Sequence, residues 1–340
     1  MKRIRDYGIK VGTMTTGKRN LITDVKGVKV GHCTINHGDI NTGVTSIIPH
    51  EGNIFKEKLY GAVHVMNGFG KTIGTVQIEE LGTIETPIVL TNTLNVGKVA
   101  DALVEYMLEQ NEDIGITTGT INPIVCECND GYLNDIRGRH VSKENVYESL
   151  NSAKEEFLEG AVGGGTGMTC FGYKGGIGSA SRVFQLGDKN YTLGAIVMSN
   201  CGIKEDFILD RNKAIDSFDF VDKEKGSIIV VLATDVPMDS RQLKRVAKRA
   251  SVGIIRLGSF MGNGSGDIIL AFSTANIVNH YQENPIVNIE VINENKIDLV
   301  FRATAEAVEE AILNSMVCAT RLIGRDGHKR ESLKEVLEKI

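Results

Sequence analysis

Gly226-Ser227-Ile228-Ile229-Val230-Val231-Leu232-Ala233 is the stretch on which the reading of this chain turns. An unbroken apolar run, mostly β-branched, follows one serine, and Thr234, Asp235 and Pro237 close it. It is short for a helix and too apolar for a half-exposed strand, so it predicts a strand covered on both faces. Gly262-Asn263-Gly264-Ser265-Gly266-Asp267 leads in the same way into Ile268-Ile269-Leu270-Ala271-Phe272. A serine at the first position of a buried strand also has a chemical reading. If the bond before Ser227 were cut, its hydroxyl and a new α-amine would share one residue. Such an amine, with a reference pKa of about 7.7–8.0, acts as a base near neutral pH. Gly-Ser is equally a common turn dipeptide, and the residues alone leave both readings open.

Working outward, further strands are expected at Val44–Ile48, Ala62–Met66, Pro87–Thr91, Gly176–Phe184, Leu193–Ser199, Asp267–Phe272 and Ile286–Ile292. Helical spacing of apolar residues marks Val96–Glu109, Lys143–Leu158 after the cap Ser142, Arg241–Val252 after Asp239-Ser240, and Ala303–Thr320. The piece after Asp326 reads as a solvated tail helix. Helices fall between and after strands, which gives a mixed α/β class. No Pro- or Ser-rich linker and no fixed repeat divides the chain, so residues 1–340 are expected to form a single domain.

Composition narrows the function. Lys+Arg is 38 against 43 for Asp+Glu, a net charge of −5, where a nucleic-acid binder usually carries a basic surplus. No apolar run is long enough to span a membrane, and no apolar core follows the basic start, so neither a membrane segment nor a signal peptide is expected. The cysteines, 33, 126, 128, 170, 201 and 318, are scattered and read as free thiols, which makes the cytoplasm the default location. Gly70-Lys71-Thr72 resembles the end of a phosphate loop, but Val65 stands where the loop needs its first glycine. Gly163-Gly164-Gly165-Thr166-Gly167 places Met168 or Cys170 at the third glycine of a dinucleotide fingerprint. No His/Cys set has zinc spacing and no G-x-S-x-G elbow occurs. No metal and no cofactor are therefore expected.

Six stretches, in order, resemble the DmpA-like self-processing aminopeptidases, the family of the L-aminopeptidase/D-esterases and β-peptidyl aminopeptidases. They are Gly17–His32, Ile84–Thr93, Asn129–Asp135, Ala161–Met168, Gly226–Val231 and Gly262–Ile268. The resemblance implies a four-layer αββα sandwich, like that of the N-terminal-nucleophile hydrolases but with different strand connectivity. It implies a precursor that cuts itself between Gly226 and Ser227 into chains 1–226 and 227–340, with Ser227 as nucleophile. Ser265 and Asp267 match residues that assist proton movement. Asn200 matches an oxyanion donor, and Tyr132 matches a residue lining the site.

The implied activity is hydrolysis of the N-terminal residue of peptides, amides or esters, and the implied assembly is a homo-oligomer, a tetramer of processed protomers. An aminopeptidase must hold its substrate's ammonium, for which Asp130 and Glu127 are the candidate carboxylates. Lys71 departs from the acidic residue usual in the family, a reversed charge expected to alter which substrates are accepted. Two other functions fit the same fold. One is an acyltransferase related to the ornithine acetyltransferases, although those normally use a threonine nucleophile. The other is an uncleaved, non-enzymatic relative, against which the joint presence of Ser227, Ser265, Asp267 and Asn200 argues.

Overall fold

Every residue of Ser227–Thr234 is buried, as a run of that composition requires. The computed structural model describes residues 2–209, 224 and 226–339. In chain order its strands begin with β1 (Lys29–His37), β2 (Ile40–Ile48), β3 (Glu57–Gly68), β4 (Thr83–Ile84), β5 (Ile88–Asn92) and β6 (Ile124–Cys128). The two-residue strands β7 (Thr169–Cys170) and β8 (Tyr173–Lys174) follow, then β9 (Gly176–Leu186), β10 (Lys189–Asn200), β11 (Ser227–Thr234) and β12 (Gly266–Asn279). A last small hairpin joins β13 (Leu322–Ile323) to β14 (Lys329–Arg330). The helices are α1 (Thr75–Leu81), α2 (Val96–Gln110), α3 (Lys143–Asn151), α4 (Ser240–Ala247), α5 (Ala250–Ile255), α6 (Asp298–Val317) and α7 (Leu333–Leu337).

Two sheets hold the chain together. One runs β1-β2-β5-β6 and the other β4-β3-β12-β11-β10-β9. Side chains alternate along a strand, and β11 uses both faces. Ile229, Val231 and Ala233 join the core that fills the space between the sheets and continues to α2 and α3. Ile228, Val230 and Leu232 join a second core beneath α4, α5 and α6. Each such fully buried aliphatic side chain contributes about 1.5–3 kcal/mol relative to exposure. The order helix, sheet, sheet, helix is the αββα sandwich expected. β11 lies inside the larger sheet, antiparallel to β10 and parallel to β12.

The structure corrects several boundaries. Ile286–Ile292 is not a strand: its hydrogen bonds are isolated, from Glu290 to Asn276, from the Ile292 N–H to the Pro237 carbonyl and from the Gln242 amide to the Ile292 carbonyl, and Ile286 is 82% exposed. Strand composition there meets no neighbouring strand. The helix expected to reach Leu158 stops at Asn151, because the next residues turn to exchange backbone bonds between Lys154 and Val30 of β1. The helix expected over Arg241–Val252 is two helices, and α6 begins five residues before Ala303. The tail is not a solvated helix. After Asp326 it supplies β14, which pairs with the earlier β13, and then the short α7, which buries Leu333.

Candidate active site

Four segments converge at the end of the sandwich where β11 begins. β10 ends there on Asn200, which pairs directly with Ser227, and Gly266 of β12 pairs with Ser227 from the other side. From the facing sheet, β6 ends on Glu127 and Cys128 and continues into the loop carrying Asn129 and Tyr132. Ser227 has the same parity as Ile229 and Val231, so its side chain faces the inter-sheet space, toward that loop.

Its hydroxyl oxygen accepts the Asn200 side-chain amide at 3.2 Å and the Asn129 backbone N–H at 3.3 Å. The Asn200 amide is itself oriented. Its Oδ1 accepts the Thr169 N–H at 2.9 Å, and its Nδ2 also donates to the Asn129 carbonyl at 3.0 Å. Two donors thus meet at the Ser227 hydroxyl oxygen and orient it; an oxyanion forms on the attacked carbonyl oxygen, one carbon away from this atom. The Gly226 carbonyl accepts the Gly266 N–H at 3.2 Å. A Cβ on residue 226 would lie 2.5 Å from the Asn200 carbonyl oxygen. Close approach to β10 is what requires glycine before Ser227.

Ser265 and Asp267 are fully buried at the start of β12, and the Ser265 hydroxyl donates to Asp267 Oδ1 at 2.7 Å. Asp267 Oδ2 is buried without a partner. Burial pushes the Asp267 carboxyl up to about 6. The Ser265 hydrogen bond opposes that rise, and the charge of Glu224 adds to it.

Above Ser227 lies a cleft of about 530 Å³ lined by Phe69, Lys71, Thr93, Glu127, Asn129, Tyr132, Thr169, Asn200, Gly226, Gly264 and Arg330. Among the described residues Glu127 is its only carboxylate, with Oε1 accepting the Lys71 backbone N–H at 3.0 Å and Oε2 the Thr93 hydroxyl. Asp130 does not reach the cleft. It is fully buried, bonded by the amides of Asn92 at 3.1 Å and Asn134 at 3.0 Å, with its carboxyl pushed up to about 6 by burial. Tyr132 lines the cleft, and its hydroxyl accepts Arg330 Nη1 at 2.7 Å. Asn129, Thr93, Thr169 and Arg330 were not anticipated. Asn129 is the one with a signal in the sequence, opening the Asn-Asp-Gly turn beside Asp130. Among the described residues no group of three or more His, Cys, Asp or Glu could hold a metal ion, and no helix is long and apolar enough to cross a membrane.

The model of peptidase family S58 matches residues 20–330. A β-peptidyl aminopeptidase from Sphingosinicella microcystinivorans is 37% identical over 97% of this chain and 89% of its own. A solved protein from Pyrococcus horikoshii superposes with a TM-score of 0.92 at 51% identity, covering 99% of this chain and 98% of its own. The L-aminopeptidase D-Ala-esterase/amidase of Ochrobactrum anthropi superposes with a TM-score of 0.89 at 36% identity, covering 100% and 97%. That structure is described as a prototype of the serine aminopeptidases and a new variant of the N-terminal-nucleophile hydrolase fold. On the family match and on these identities over nearly full length, the chain belongs to peptidase family S58.

Proposed function

We infer that this chain is a self-processing serine aminopeptidase whose nucleophile is Ser227. The observation that carries the reading is the Ser227 hydroxyl at the cleft floor, held by the Asn200 amide and the Asn129 N–H, immediately after Gly226.

In the precursor the Ser227 oxygen attacks the Gly226 carbonyl carbon. The C–O bond forms, the peptide C–N bond breaks and takes up the hydroxyl proton, and an α-amine appears on Ser227. The Gly266 N–H supports charge on the Gly226 oxygen. Water then hydrolyses the ester, giving chains 1–226 and 227–340. In the mature enzyme the α-amine removes the Ser227 hydroxyl proton as the oxygen attacks a substrate carbonyl. Asn200 and Asn129 take the oxyanion, worth about 10²–10³ in rate per donor. The α-ammonium returns the proton to the leaving amine, and water releases the acyl residue. Ser265 and Asp267 hold and move the proton on the amine side. Glu127 receives the substrate's ammonium, a role for which Asp130 is too deeply buried.

One relative is named as a β-peptidyl aminopeptidase and another as an L-aminopeptidase and D-Ala-esterase/amidase. A panel of L-, D- and β-aminoacyl p-nitroanilides decides which class this cleft takes. A cytoplasmic location and a homo-oligomer belong to the same proposal. All six cysteines are buried and unpaired, as a reducing compartment allows, and light scattering of the processed protein measures the assembly. The central test is Ser227→Ala, which is expected to remain one chain on a denaturing gel and to release no p-nitroaniline. Splitting of the alanine variant at the same bond would overturn the mechanism.

A further inference from the structure

The C-terminal hairpin is docked onto the active-site loop by contacts that converge on one residue. The Arg325 N–H donates to the Leu133 carbonyl at 2.9 Å. The His328 ring stacks on Tyr132, with centroids 4.5 Å apart and planes 9° apart, and His328 Nδ1 lies 2.8 Å from the Tyr132 carbonyl. The Arg330 guanidinium sits over the same tyrosine ring at 3.9 Å. This stacking leaves the guanidinium edge to bond in its own plane.

Arg330 is a cation with no anion beside it among the described residues. Nη1 donates to the Tyr132 hydroxyl and to the Lys329 carbonyl, while Nε is buried with no acceptor. Among the described residues it forms no ion pair. Its neighbours Arg321 and Lys329 both pair with Glu331, so the nearby carboxylate is already engaged. Lys71, the other cation of the cleft, lies over the Phe69 ring at 4.1 Å and likewise has no carboxylate partner among the described residues. Among the described residues the cleft therefore carries two cations without a carboxylate partner and a single carboxylate, Glu127. That is the charge pattern complementary to a zwitterion with a carboxylate beyond the scissile bond.

We propose that Arg330 is a specificity-determining residue that binds a carboxylate on the leaving-group side of the substrate, so that the favoured substrates are dipeptides with a free C-terminus. The proposal rests on the aminopeptidase reading of the cleft, with Glu127 taking the ammonium. A planar guanidinium held by ring stacking matches a carboxylate in two-point geometry. Filling that role would give the orphaned donors their acceptor and neutralise a half-buried charge. The same chemistry is offered by an acidic side chain at the second residue, and the test separates the two.

Processed protein is titrated calorimetrically with a dipeptide whose peptide carbonyl is reduced to a methylene, so that no turnover is needed. Three forms are compared: X-Ala free acid, X-Ala amide and X-Asp amide. The free acid is expected to bind at least about tenfold tighter than its amide, the scale of a charge-assisted hydrogen-bond pair. The gap should narrow in high salt. In Arg330→Gln the acid and the amide should bind alike, and Arg330→Lys should restore part of the difference. Equal binding of acid and amide to the unmodified protein, or an unchanged ratio in Arg330→Gln, overturns the proposal. Preference for X-Asp amide over X-Ala free acid overturns its assignment to the terminal carboxylate. Because the readout is binding, it is independent of turnover. Absence of p-nitroanilide hydrolysis with the acid preference intact would remove the peptidase reading and leave the carboxylate site standing.

Discussion

One residue along β12 from the strand partner of Ser227, Asp267 keeps a buried oxygen with no donor. Cleavage creates the missing donor, since an α-ammonium on Ser227 is the group such an acceptor would hold. In the proposed mechanism the carboxyl draws the Ser227 proton through Ser265 before cleavage, and it can do so only when ionised. Self-cleavage of precursor refolded into buffers of graded pH is therefore expected to speed up as pH passes about 6, the value to which burial raises Asp267. Asp267→Asn should slow cleavage by roughly 10²–10⁴, the range for a lost acid–base group, and erase that limb. Asp130 is raised to a similar value, so Asp130→Asn is the control, and a limb that follows Asp130 would overturn the assignment. The same shifts have a stability sign. Folded carboxyls that hold their protons to about pH 6 contribute stability at low pH that is lost as pH rises through about 6. At Glu127 the expected effect is on binding. Glu127→Gln keeps an acceptor for the Lys71 N–H but loses the charge that meets the ammonium, so KM should rise about 10²-fold with a smaller change in kcat. A fall in kcat at unchanged KM would place Glu127 in the chemistry instead.

The elements around the site explain how a single amide comes to be so well aimed. The loop from Gly163 to Gly175 folds around the Lys174 ammonium, which is fully buried and donates to the carbonyls of Gly165 at 3.1 Å and of Met168 and Gly175 at 2.7 Å. That loop presents the Thr169 N–H to Asn200. Burial pulls the Lys174 pKa down to about 7, whereas three carbonyl acceptors call for the charged form with its three donors. Lys174→Met leaves those carbonyls bare and is expected to cost about 2–4 kcal/mol in urea unfolding, with kcat falling as Asn200 loses its alignment. An unchanged urea midpoint would show the lysine to be dispensable. None of this was legible in the sequence, where Lys174 is one charge in a glycine-rich stretch. β10, β11 and the start of β12 were legible, because strands buried on both faces must be continuously apolar. β1, Lys-Val-Gly-His-Cys-Thr-Ile-Asn-His, was not, since only Val30, Gly31 and Cys33 are buried, with α3 packed against the strand, and the polar residues between and after them break any apolar run. Ile286–Ile292 shows the converse, strand residues with no strand beside them. In the site, Ser227, Asn200, Ser265 and Asp267 stand on the readable strands or just before them. Arg330 reaches the cleft only because a distant hairpin docks on Tyr132, and no local pattern announces such a contact.

At the scale of the molecule, the proposed cut falls where it changes chemistry without releasing structure. Chain 227–340 would own β11, β12 and α4–α6, while chain 1–226 would own the rest of the large sheet. β11 is bonded to β10, β12 to β3, and α6 packs across β9 and β10, so the two pieces interleave rather than abut. Buried ion pairs also cross the division, from Arg182 to Glu306 at 3.1 Å and to Glu310 at 2.7 Å, and from Arg5 to Glu310 at 2.6 Å. Neither piece could bury its half of the sheet alone. The processed protein is therefore expected to elute as one species containing both chains and to unfold in a single thermal transition. High salt should not part the chains, because screening acts weakly on buried pairs and does not weaken apolar burial. Only denaturant should separate them, and a separately expressed chain 227–340 should lack cooperative unfolding. Elution of the two chains apart in native buffer, or a folded chain 227–340 on its own, would show that the cut divides two independent units, against a topology in which every strand neighbour of β11 and β12 outside their own pairing lies across the break.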